Sequence, residues 1–156
     1  MNSSYLDLLQ LAMPETIVVL IALVVLVIDL TSMRGLETRL RLGIGALISG
    51  VGCVAAIAWM LVVPMQGEVG GGMMVVNSLT QLVKGGLLTL TVFTIMLSGN
   101  CDFTKHVGEF LALILLATVG MMFLVSARDV LMIFVSLEMT SLSLYILTAF
   151  NKRNIK

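Results

Sequence analysis

Five apolar runs, each about the 20 residues a helix needs to cross a bilayer, predict an all-α integral membrane protein of about five transmembrane helices. Composition agrees. Of 156 residues, 59% are apolar and 12% charged, with a mean hydropathy of +1.11, against about 45–50% apolar and about 25% charged in soluble domains. The connections supply the third observation, since none is long enough to hold a soluble domain. We therefore expect one membrane domain over residues 1–156, with spans at approximately 14–30, 42–64, 82–99, 110–127 and 130–150.

In hydrocarbon every backbone amide must be satisfied within its own segment, so runs of this length are helices; a barrel would show short stretches of alternating polarity. Pro14 suits a first helical position and Glu15 the positive end of the helix dipole, so the first span reads as capped there. It follows acidic residues rather than a basic stretch and precedes other spans, which argues against a cleaved signal. In the second span, Gly45, Ser49 and Cys53, with Ala46 and Gly50, place small side chains four residues apart, a pattern that lets helix backbones approach closely in lipid.

The breaks read as a basic stretch over 31–41, a flexible segment around Gly70-Gly71-Gly72, a mixed loop over 100–109 and a tight turn at Ser126-Ala127-Arg128-Asp129. Arg128 and Asp129 are expected to pair locally at the interface. With five spans, one side collects Arg34, Arg39, Arg41, Lys105, Lys152, Arg153 and Lys156, the other only Lys84 and Arg128. The excess of Lys and Arg marks the cytoplasmic side, which places the N-terminus outside and the C-terminus in the cytoplasm.

Nine Lys and Arg balance nine Asp and Glu, so no nucleic-acid partner is implied. The apolar excess also excludes a disordered chain. Cys53 and Cys101 have neither disulfide nor metal-site spacing, and His106 has no second ligand nearby, so no metal or cofactor site is expected. The twelve methionines read as packing filler, and no nucleophile with a base or paired carboxylates marks a self-contained enzyme.

One charge stands out. Glu138 has eight residues of the fifth span before it and twelve after. An acidic side chain at a helix centre costs about 2.5–3.5 kcal/mol on insertion scales, so it should face protein or trapped water. Ser141, Tyr145 and Thr148 follow at helical spacing and extend a polar stripe. Burial raises a carboxyl pKa and a nearby lysine lowers it again, so a carboxyl held between the two can load and unload a proton. Glu138 is the predicted proton relay. Lys84 is a second intramembrane charge, read as snorkelling to the headgroups from the start of the third span.

Beyond these physical readings, the stretch 108–150 resembles helices four and five of subunit N of NADH-quinone oxidoreductase, respiratory complex I. The resemblance rests on Gly108-Glu109-Phe110, Gly120-Met121, Ser126-Ala127-x-Asp129 and Leu137-Glu138-x-x-Ser141-Leu142-x-x-Tyr145. Pro14-Glu15 and Asp29 around the first span are similar but less diagnostic. The resemblance implies a truncated antiporter-like bundle in an energy-transducing membrane, most simply the bacterial inner membrane. It also implies a translocase of the respiratory electron-transport chain, in which proton transport is coupled to quinone reduction.

In that family a glutamate matching Glu138 works with lysines on later helices. NADH, FMN, quinone and iron–sulfur clusters belong to the parent complex, and none is expected on this chain. Other complex I membrane subunits and the bilayer are the implied partners. This sequence covers about the first third of such a subunit and stops within the first of its inverted repeats, so a second chain carrying the missing helices is a further partner to expect. The competing readings are a subunit of a cation/proton antiporter or membrane hydrogenase, and a non-catalytic five-helix scaffold with a structural Glu138.

Overall fold

The computed structural model describes residues 10–31, 38–63, 67–69, 72–98 and 106–149. Five helices account for most of them: α1 (Met13–Thr31), α2 (Thr38–Val62), α3 (Ser78–Ser98), α4 (Val107–Ser126) and α5 (Val130–Ala149). All five are long and apolar enough to cross a membrane. α2 and α3 begin before the apolar runs do, at Thr38 and Ser78, because polar residues at a helix end can extend into the headgroup region without leaving the helix.

Between α2 and α3 the chain forms a short antiparallel hairpin, β1 (Gly67–Val69) and β2 (Met74–Val76), with Gly67 opposite Val76 and Val69 opposite Met74. The flexible segment expected around the glycine triplet therefore carries order on both sides. Gly72 has φ +96°, a conformation that only glycine adopts without strain, while Gly70 and Gly71 lie outside the described residues. A bridge from Met74 to Ala127 and a hydrogen bond from the Arg128 N–H to the Met73 carbonyl (2.9 Å) seat the hairpin against the α4–α5 turn.

α4 is the central helix and packs against each of the other four. Its sequence is apolar all round, as a helix enclosed by protein requires, and Leu111, Leu115, Val119 and Met122 are among its fully buried residues. On α2 the buried face runs through Gly45, Ser49, Cys53 and Ala56, so the predicted small-residue face is the packing face. A Cβ on Gly45 would come within 2.6 Å of Leu111 Cδ1, and one on Gly52 would overlap the Ile21 side chain. α5 lies at the edge. It packs chiefly on α4, through Ser136 and Ser143, and leaves most of its surface uncovered by this chain.

Candidate intramembrane charge sites

Three polar clusters, two of them charged, occupy different levels of the bundle. At the end away from the hairpin, Asp29 near the end of α1 receives Nε of Arg41 at 2.9 Å and Nη2 at 2.7 Å, a bidentate contact with the first turn of α2. The Gly108 N–H at the start of α4 donates to the same carboxylate at 3.0 Å. One acid thus ties three helix ends together, and the glycine is required because a Cβ at residue 108 would overlap the Asp29 side chain.

Half-way along the bundle, the hydroxyls of Thr91 and Thr118 meet at 2.8 Å between α3 and α4, each also donating or positioned to donate to its own helix carbonyl. Ser49 of α2 is buried without a hydrogen-bond partner among the described residues.

At the hairpin end, Glu15 of α1 and Lys84 of α3 form an ion pair with Nζ 2.5 Å from Oε1, each side chain only 1% exposed. Both readings made from the sequence need correction here. Glu15 points into the bundle against a partner helix rather than merely capping α1, and Lys84 does not snorkel. Each position, taken within its own helix, lies near an end where a local role suffices; only the folded bundle, in which α1 and α3 both pack on α2 and α4, brings the two together. Sequence carried one signal, the coincidence of an acid and a base at the same end of two spans. Although the separation is that of an ion pair, neither Glu15 oxygen nor Lys84 Nζ has a well-directed hydrogen bond among the described residues.

A cavity of about 20 Å³ adjoins this pair, lined by Pro14, Trp59, Met60, Val76, Gln81 and Lys84 among others.

Glu138 lies elsewhere. It is exposed on the side of α5 away from α4, and Tyr145 and Thr148 are exposed with it, while Ser141 is half-buried. The Ser141 hydroxyl donates to the Glu138 carbonyl at 3.1 Å and to Leu137 at 2.8 Å, so it serves the helix backbone. The predicted stripe is therefore contiguous, but it faces outward and does not meet Glu15, Lys84 or Asp29.

Arg128 pairs with Glu68 of the hairpin at 2.9 Å, both groups well exposed, rather than with its neighbour Asp129. The hairpin, not visible in the sequence, supplies that competing acid. His106 is exposed, 3.3 Å from Glu109. Cys53 is a buried free thiol, and Cys101 lies outside the described residues, as do Arg34, Lys105, Lys152, Arg153 and Lys156. Among the described residues no group of three His, Cys, Asp or Glu gathers to hold a metal.

Five membrane-length helices with charges held between them define a multi-pass α-helical membrane protein. Its relatives are particular: the chain is homologous to a partial region of subunit N of NADH-quinone oxidoreductase. It is 39% identical to NADH-quinone oxidoreductase subunit N 2 of Acidobacterium capsulatum, over 97% of this chain and 32% of that protein. It is 34% identical to NAD(P)H-quinone oxidoreductase subunit 2 of Synechocystis sp., over 91% and 27%. With NADH-quinone oxidoreductase subunit N of Dehalococcoides mccartyi the identity is 32%, over 92% and 29%. The chain thus spans about a third of the length of these curated relatives. No protein-family model matches it.

Proposed function

We propose that these 156 residues form one membrane domain of a proton-translocating NADH-quinone oxidoreductase, in which Glu138 relays protons while quinone is reduced elsewhere in the complex. The observation that carries the reading is the outward-facing acid of α5, exposed with Tyr145 and Thr148 beside it. An acid facing hydrocarbon is costly, so further protein or trapped water covers this face in the working assembly.

A lysine on the covering helices, in this chain's continuation or in another chain, would balance burial of Glu138 and poise its proton. NADH, FMN, quinone and iron–sulfur clusters act on other subunits, and this chain supplies the intramembrane path. The excess of basic residues at the Arg41 end supports a cytoplasmic location for that end and an outside N-terminus.

The test has two readouts. Tagged on this chain, the native complex should co-purify with NADH-oxidising, iron–sulfur and other membrane subunits, identified by mass spectrometry. In that complex Glu138→Gln should abolish proton pumping while assembly persists. Unchanged pumping in E138Q would overturn the relay, and recovery without redox subunits would overturn the assignment to the oxidoreductase.

A further inference from the structure

We propose that the groove between the hairpin and the α4–α5 turn binds the headgroup of an aminophospholipid, a phosphodiester with a primary ammonium beside it. The groove has a volume of about 390 Å³, within the roughly 300–1,000 Å³ of small-molecule sites. Glu68 of β1, Asn77 and Thr80 at the entry to α3, and Arg128 of the turn supply its polar wall, with Val75 and Val125 as apolar lining. These walls are fixed without a ligand. The Arg128 N–H donates to the Met73 carbonyl, and the Thr80 hydroxyl engages both the N–H and the carbonyl of Asn77 at 2.7 Å.

Charge selects the headgroup. Arg128 and Glu68 stand 2.9 Å apart with side chains 65% and 60% exposed, so their pair is a weak one. It also leaves capacity on both sides: the contact runs from Nη1 of the guanidinium to Oε1 of the carboxylate, whereas the first group has five N–H donors and the second two acceptor oxygens. Phosphate oxygens can therefore accept from the remaining guanidinium donors and the Asn77 amide while an ammonium donates to Oε2 of Glu68. A plain anion would meet Glu68 as a like charge, and the quaternary nitrogen of choline has no N–H to give it.

Position selects the source. The groove lies where the apolar spans stop, since α3 begins at Ser78, α4 ends at Ser126 and α5 begins at Val130. Immediately inside that level Leu79 and Leu82 of α3 and Val130 and Leu131 of α5 are uncovered by this chain. A polar groove that continues into bare apolar surface fits a headgroup and its acyl chains; a soluble ligand would use only the first part.

Native mass spectrometry of the full chain, purified in detergent and stripped of lipid, tests the site with phosphatidylethanolamine, phosphatidylcholine and phosphatidylglycerol as probes. Phosphatidylethanolamine should bind about tenfold tighter than phosphatidylcholine, the step that one charge-assisted hydrogen bond supplies. Glu68→Gln should erase that preference and Arg128→Gln should weaken all three lipids; both side chains are exposed, so neither change disturbs the core. Glu109→Gln, at the opposite end of the bundle, should leave the preference as it is. Equal binding of the ethanolamine and choline lipids, a preference for phosphatidylglycerol, or a loss in E109Q as large as in E68Q overturns the proposal. Soluble glycerophosphoethanolamine distinguishes the source. It should displace the lipid only in large excess, and displacement at equal concentration would overturn the assignment to a lipid. None of these readouts involves Glu138 or pumping, so their outcome is separable from that of the relay test.

Discussion

Asp29 and Arg41 join the end of α1 to the start of α2 through two short N–H···O contacts, while the Gly108 N–H occupies the remaining approach to the same carboxylate. The acid accepts from two other helices at once, and side-chain exposures of 10% and 14% leave the pair little water to fall back on.

Removing the acid should therefore cost more than one contact. Asp29→Ala leaves a guanidinium and an amide N–H unpaired, and a loss towards the lower end of the about 3–5 kcal/mol seen for broken buried pairs is expected. Equilibrium unfolding of the chain in mixed micelles measures it. A loss similar to that of an exposed pair would show that the three helix ends are held by apolar packing alone.

For Glu15 and Lys84 the double variant should be milder than either single one. Lys84→Met strands a buried acid and Glu15→Gln a buried ammonium, each expected to destabilise by about 3–5 kcal/mol, whereas the pair replaced together leaves no uncompensated charge. Additive losses in a double-mutant cycle would mean that the two side chains do not interact.

Gly120 is a contact point between α4 and α5. A Cβ there would lie 3.0 Å from the Thr140 backbone N and 3.1 Å from the Ser136 carbonyl oxygen, and would overlap the Thr140 hydroxyl. Backbone cannot yield as a side-chain tip can. Gly120→Ala should cost about 1–3 kcal/mol through overpacking, read as faster proteolytic release of α5 from the micelle-embedded chain.

The Thr91–Thr118 contact should matter least. After Thr91→Val, Thr118 keeps its bond to the Ile114 carbonyl at 2.9 Å, so no group is stranded. A loss near the roughly 0.6 kcal/mol average for interhelical hydrogen bonds in membranes is expected. A loss as large as that for Asp29→Ala would show that the hydroxyl pair organises the bundle centre.

The helices were legible because span length is set by the bilayer and apolar runs declare it within one segment. The close approach at Gly45 was legible for a related reason: small residues at helical spacing mark a face. Relations between segments were hidden. Glu15 and Lys84 each satisfied a local rule, and nothing in either helix names its partner. The hairpin was hidden because its strands have three residues each and flank a glycine triplet that reads as loop. Arg128 followed, since its acid, Glu68, enters reach only once those strands pair.

The central position of α4 also bears on the order of assembly. During synthesis α1, α2 and α3 reach the membrane before the helix that meets them all, and chains build from the N-terminus onward. Until α4 arrives, the Asp29 carboxylate lacks its Gly108 donor. The fourth helix thus enters as a wedge that completes three earlier ones, and α5 then follows across the short turn to the Gly120 seam.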